Sequence, residues 1–179
     1  MKNLAPVVAL LALSCGMAAA AEDAAVRQVV FVCEHGNVKS LMAASYFNQL
    51  AKQQHLPFHA ISRGAAPDST TVPQPIVAGL RTDGVDVSAF HPAKLGQPDL
   101  ADAAHVVMIG TDLPAGLHAR ESQIENWQDV PPASTNYAAA RAALQAHVAD
   151  LIARLNLACA GATRCQSPIS TTNSSPAPR

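Results

Sequence analysis

The sequence predicts an α/β fold of three layers, a four-stranded parallel sheet flanked by helices with an anion-binding loop after the first strand. Three observations carry this expectation. Continuous apolar runs rich in β-branched residues, VVFV at 29–32 above all, read as strands buried on both faces. These runs alternate with segments whose apolar residues recur at helical spacing, and that alternation makes a parallel sheet. The first strand ends at Cys33 and a short polar loop, so that the segment CEHGNVKS joins a strand to a helix. In such folds ligands sit at the carboxyl ends of the strands.

Each element has its own signal. Val29 to Val32 is the first strand, and Leu41, Ala44, Phe47 and Leu50 mark the helix after it. Phe58 to Ser62 is a second strand. Pro75 to Asp83 reads as a helix, with proline near its start and Gly84 at its stop. Asp99 to Ala104 reads as a short helix, Val106 to Ile109 as a third buried strand, and Ile124 to Trp127 as a short fourth. From Tyr137 onward, Leu144, Val148, Leu151, Ile152 and Leu155 mark a long amphipathic helix.

Both ends of the chain differ from this middle. Lys2, the apolar run Leu4 to Leu13 and the small residues Ala18 to Ala21 make residues 1–21 a cleavable export signal. The run is too short for a membrane span, and no later stretch is long enough for one. Cys15 offers a lipidated terminus as the minor alternative. The expected location is therefore periplasmic or secreted. Residues 27–157 are expected to form the domain, and the roughly 155 residues left after the signal suit one hydrophobic core. Residues 158–179 read as a disordered tail, since Ser167 to Arg179 is rich in Ser, Thr and Pro with nothing to bury. Net charge is −1 and no basic cluster stands out, which argues against nucleic acid as a partner. Without the signal, Cys33, Cys159 and Cys165 remain. In an oxidising compartment the neighbouring Cys159 and Cys165 read as a disulfide, which leaves Cys33 as the odd thiol. The histidines show no ligand spacing, so neither metal nor cofactor is expected.

The loop from Cys33 to Ser40 is suited to an anion. Amides turned inward and the amino terminus of the next helix would converge on one spot, where a thiolate is the nucleophile. Gly36 and Asn37 tolerate the left-handed backbone of a tight loop. Ser40 can hydrogen-bond the sulfur or cap the helix, and Lys39 supplies positive charge.

CEHGNVKS in this setting resembles the Cys-x5-Arg-Ser loop of the low-molecular-weight protein tyrosine phosphatases and the related thioredoxin-coupled arsenate reductases. Other pieces follow in the same order. Ser62-Arg63-Gly64-Ala65 resembles the family's Ser-Ala-Gly segment. LRTDGVDV at 80–87 resembles its Leu-x-x-x-Gly-Ile-Asp segment, Phe90-His91-Pro92 the stretch after it, and ENWQDVPP at 125–132 the Trp-containing loop with the general-acid Asp-Pro. The resemblance spans Val29 to Leu155. Three positions depart from the pattern. Lys39 stands for the arginine, Gly36 takes the place of the usual asparagine with Asn37 one further on, and Pro131 precedes Pro132 where the family has aspartate.

The resemblance implies a hydrolase acting on phosphotyrosine, as a phosphorylated protein, or on a small aryl phosphate. Cys33 would attack phosphorus and Ser40 would hold it as thiolate, while Lys39 met the phosphate oxygens. Asp129, the nearest acid to Pro132, would be the general acid. Glu34, His35, Gly36, Asn37 and Val38 would bind substrate through the loop, with Trp127 from the later loop. Two alternatives stand beside this: arsenate reduction, with Cys159 and Cys165 as resolving thiols, and a non-catalytic member that binds an oxyanion or a partner. Oligomeric state is not legible.

Overall fold

The computed structural model describes residues 26–160. The expected export signal, Cys15, Cys165 and most of the tail lie outside the described residues, as does the side chain of Cys159 at the end of the last helix. Among the described residues no helix is long and apolar enough to cross a membrane.

The elements run β1 (Arg27–Cys33), α1 (Lys39–Gln53), β2 (Phe58–Gly64), α2 (Gln74–Thr82), α3 (Gln97–Ala101), β3 (Ala103–Ile109), a 3-10 turn (Glu121–Gln123), β4 (Ile124–Trp127) and α4 (Tyr137–Ala160). The four strands form one sheet in the order β2-β1-β3-β4, and every pairing is parallel. All four carboxyl ends therefore open on one edge, where the loops 34–38, 65–73, 110–120 and 128–136 emerge. One expected boundary moves. The short helix stops at Ala101, because Ala103 already pairs with Gln28 of β1 and its carbonyl accepts a hydrogen bond from Gln123 Nε2 at 2.6 Å. The pull of the sheet extends β3 backward over Ala103 and Ala104, against the helix preference of alanine.

The pleat separates two cores. Val29, Phe31 and Cys33 face one side with Val107 and Ile109, against Leu41 and Phe47 of α1, Ile76 and Leu80 of α2, and Leu144, Val148, Leu151 and Ile152 of α4. Val30, Val32, Val106 and Met108 face the other, under Leu100 of α3, Leu95 and the partly buried Leu113 and Leu117. β1 is thus apolar on both faces, as the central strand of such a sheet must be.

Polar ties fix the helices. Tyr46 Oη of α1 and Tyr137 Oη of α4 each donate to Asp83 Oδ2, at 2.7 and 2.9 Å, and Arg141 Nε meets Asp83 Oδ1 at 2.9 Å. Burial, with the neighbouring Asp83, pushes the Tyr137 phenol up to about 12, and both hydroxyls stay neutral donors. Asn48 of α1 bonds both backbone groups of Ala60, its Nδ2 to the carbonyl at 2.9 Å and its Oδ1 to the amide at 2.7 Å. That pair occupies the outer edge of β2, where open ladder groups would otherwise invite another strand.

Candidate active site

The loop after β1 is pinned before any ligand is considered. Ala65 N donates to Cys33 O at 2.9 Å and Ala66 N to Glu34 O at 2.8 Å. Asn37, 4% exposed, donates its side-chain amide to Thr71 O at 2.9 Å. Gly36 has φ +76°, and a Cβ on it would fall 2.6 Å from Gly64 N. The backbone there is both left-handed and pressed against another backbone, which only glycine accepts. This accounts for Gly36 standing where the resemblance has asparagine.

Cys33 is a free thiol with 3% exposure. Its Sγ receives the Gly36 amide at 3.3 Å and lies 3.0 Å from Ser40 Oγ. Ser40 Oγ is in turn 2.8 Å from Ser62 Oγ, which lies 3.0 Å from Gly36 O. Each hydroxyl carries one proton, so this chain has a direction. With a neutral thiol, Cys33 donates to Ser40, Ser40 to Ser62, and Ser62 to the Gly36 carbonyl. With a thiolate, Ser40 turns to donate to sulfur and Ser62 can turn to donate to Ser40. Ser40 and Ser62 are both buried, at 0% and 4% exposure, so water cannot easily substitute for either partner.

α1 starts at Lys39, and no side chain caps its amino end. Its first amides and the positive end of its dipole face the same loop. The Lys39 amine extends to the end of β3, where a Cβ on Gly110 would lie 2.7 Å from Nζ. Among the described residues it has no hydrogen bond or ion pair, so a cationic group remains available to a ligand.

The remaining expected site residues take different places. Glu34 is exposed, and its Oε2 accepts a hydrogen bond from Thr111 Oγ1 at 3.1 Å, joining the first loop to the third. His35 Nδ1 meets Asp68 Oδ1 at 3.1 Å, joining it to the second. Val38 packs its side chain against the larger core. Trp127 is not at the mouth. It is 2% exposed, with its ring 5.5 Å from Phe31 and stacked 4.6 Å from His147. The last residue of a sheet-bound strand buries its large apolar ring in the core rather than offering it to a substrate. Its indole N–H donates to Glu125 Oε1 at 2.7 Å. Burial alone would raise the Glu125 carboxyl. Donors from Trp127, His105 and Arg154 outweigh burial and hold it below the ordinary range.

Asp129 follows in the fourth loop with its side chain 71% exposed, and its Oδ1 lies 2.8 Å from His147 Nε2 of α4. That hydrogen bond holds its carboxyl below the usual carboxylate range. Four partners escaped the sequence reading: Ser62, Gly110, Thr111 and His147. Ser62 carried a signal, a hydroxyl on an inward position of a strand. The other three touch the site only through the sheet topology.

The family model of the low molecular weight phosphotyrosine protein phosphatases matches residues 28–125. Among solved structures, YfkJ from Bacillus subtilis is similar over 75% of this chain and 97% of its own, at 20% identity and a TM-score of 0.66. The low molecular weight protein tyrosine phosphatase from T. tengcongensis shares 22% identity over 72% of this chain and 99% of its own, with a TM-score of 0.64. The thioredoxin-dependent arsenate reductase of Corynebacterium glutamicum shares 18% over 76% and 65%, with a TM-score of 0.63. A comparison with curated protein sequences found no match. The pinned loop around Cys33, the all-parallel sheet and the match over more than half of the sequence lead to one conclusion: this chain belongs to the low molecular weight phosphotyrosine protein phosphatase family.

Proposed function

We propose that the protein is a phosphatase that cleaves phosphoric monoesters, phosphotyrosine and other aryl phosphates among them, through a phosphocysteine. The observation that carries this reading is the surround of Cys33 Sγ, with the Gly36 amide at 3.3 Å and Ser40 Oγ at 3.0 Å. The uncapped start of α1 and the unpaired Lys39 ammonium stand beside it. Such a site stabilises both a thiolate and the oxygens of an incoming phosphoryl group.

In the first step the Sγ–P bond forms as the ester P–O bond breaks. The bond pair goes to the leaving oxygen, which takes a proton from Asp129. Loop amides and Lys39 meet the equatorial oxygens, where charge spreads in the transition state. In the second step water gives its proton to Asp129 and attacks phosphorus, the S–P bond breaks, and inorganic phosphate leaves the restored thiolate. Residues 1–21 support a place outside the cytoplasm, which fractionation of cells producing the full chain tests.

The deciding measurement is hydrolysis of nitrophenyl phosphate by the protein beside its Cys33→Ser variant. Turnover that is lost with the thiol supports the reading. Equal rates in the two proteins overturn it.

A further inference from the structure

We infer that Glu34 selects phosphorylated compounds that carry a positive nitrogen within a few bonds of phosphorus. The inference rests on the phosphatase reading and names a substrate class for that site. Its starting point is a conflict of charge. An anion site is built around Cys33, yet the next residue is a carboxylate held at the mouth, with Glu34 Oε2 3.1 Å from Thr111 Oγ1. Glu34 has no cationic partner among the described residues. A carboxylate there repels a simple phosphate dianion, so its presence costs affinity unless the substrate brings a charge to meet it.

The other loops agree. Within the first five residues after each strand, every loop supplies one acid: Glu34, Asp68, Asp112 and Asp129. Asp68 is engaged by His35 and Asp129 by His147, whereas Glu34 and Asp112 make no ion pair among the described residues, the Lys39 amine lying at Gly110 beside Thr111 without pairing to either. The same loops contain no Phe, Tyr or Trp. The chain has one Trp, two Tyr and four Phe, and all are placed elsewhere. Trp127, Phe31, Phe47, Phe58 and Tyr46 are buried, Tyr137 packs over Gly79, and Phe90 lies beside a groove of about 300 Å³ between α1 and β2. No Phe, Tyr or Trp stands in these loops to stack on an aryl ring, while an ammonium or guanidinium would find Glu34.

The test reads occupancy of the site through protection of Cys33 from iodoacetamide, which does not depend on turnover. Phosphocholine and phosphoarginine present the cation through P–O and P–N linkages, and phenyl phosphate presents none. The cationic compounds should protect at about fivefold lower concentration, the scale of one exposed ion pair. The advantage should shrink with added salt. Glu34→Gln should erase it and tighten phenyl phosphate, and Glu34→Asp should restore part of it. A merely structural Glu34 would weaken all three ligands together. Equal protection by all three compounds, or a preference that survives Glu34→Gln, overturns the inference. If only one of the cationic compounds is preferred, the linkage is identified and the inference stands. Nitrophenyl phosphate hydrolysis by the same preparations reports on the phosphatase reading separately, so failure of one is not mistaken for failure of the other.

Discussion

The Lys39 ammonium lies against Gly110, with Nζ 2.7 Å from where a Cβ on that residue would be. A side chain from α1 thus reaches the end of β3 and occupies space that any other residue there would claim. Gly110 also has φ +62°, so its lack of a side chain serves both the backbone and the lysine. Gly110→Ala should cost about 1–2 kcal/mol for the left-handed backbone. It should also push the amine aside and weaken inorganic phosphate binding by several-fold. Thermal melting and phosphate protection of Cys33 measure the two effects, and unchanged protection would show that the amine does not serve the anion from this position.

Lys39 brings a single point charge, whereas arginine would present a planar fork to two phosphate oxygens. Loop amides are unaffected by this difference, so the site should bind an oxyanion adequately and turn over slowly. Lys39→Arg should raise kcat on nitrophenyl phosphate by about tenfold, equivalent to about 1.4 kcal/mol of barrier. Because the larger head must also fit beside Gly110, the gain should disappear in the double variant with Gly110→Ala.

Gly36→Asn would restore the residue common in the resembling loops, and it should fail. Asparagine tolerates a φ of +76°, but its Cβ would fall 2.6 Å from Gly64 N and 2.9 Å from Gly64 Cα. Those atoms are backbone, tied into the sheet by the pairing of Gly64 with Cys33. Relief requires the loop to move away from β2, which breaks the Ala65 and Ala66 hydrogen bonds. The variant should lose about 2 kcal/mol or more. A melting temperature within a degree of the parent would contradict this packing.

How far the sequence could be read follows from where each signal is stored. The apolar run at 29–32 and the helical spacing from Leu41 to Leu50 are local patterns, so β1, α1 and the sheet class were legible from them. The Cys33 loop was legible for the same reason, since its glycine, lysine and serine lie within eight consecutive positions. Trp127 reads both as a packing anchor and as a substrate contact, because its position in the segment ENWQDVPP gives no hint of which way the ring turns. Packing against Phe31 and His147 decides that, and His147 lies twenty residues further along. Gly110 and Thr111 look like ordinary loop residues until the strand order sets β3 beside β1. Their roles toward Lys39 and Glu34 belong to topology and have no local trace.

The contact between His147 Nε2 and Asp129 Oδ1 makes a prediction about pH. A general acid works only while protonated, so the alkaline limb of the kcat/KM profile, which reports the free enzyme, follows its pKa. The hydrogen bond from His147 favours the charged carboxylate and lowers that pKa. The protonated fraction of Asp129 at neutral pH is therefore smaller than for an unpartnered aspartate. Replacing the partner by His147→Ala removes the lowering influence, so the Asp129 pKa should rise and the alkaline limb should move to higher pH. The same substitution also exposes one face of Trp127, so a general loss of stability must be separated from the shift. His147→Phe keeps a ring against Trp127 while removing the nitrogen, and it should move the limb in the same direction with less destabilisation. Asp129→Asn should abolish the dependence on that limb and lower kcat by about a hundredfold. If both His147 variants leave the alkaline limb in place and Asp129→Asn leaves kcat unchanged, the proton comes from another source. Asp129 would then be a surface anchor that fastens the fourth loop to α4.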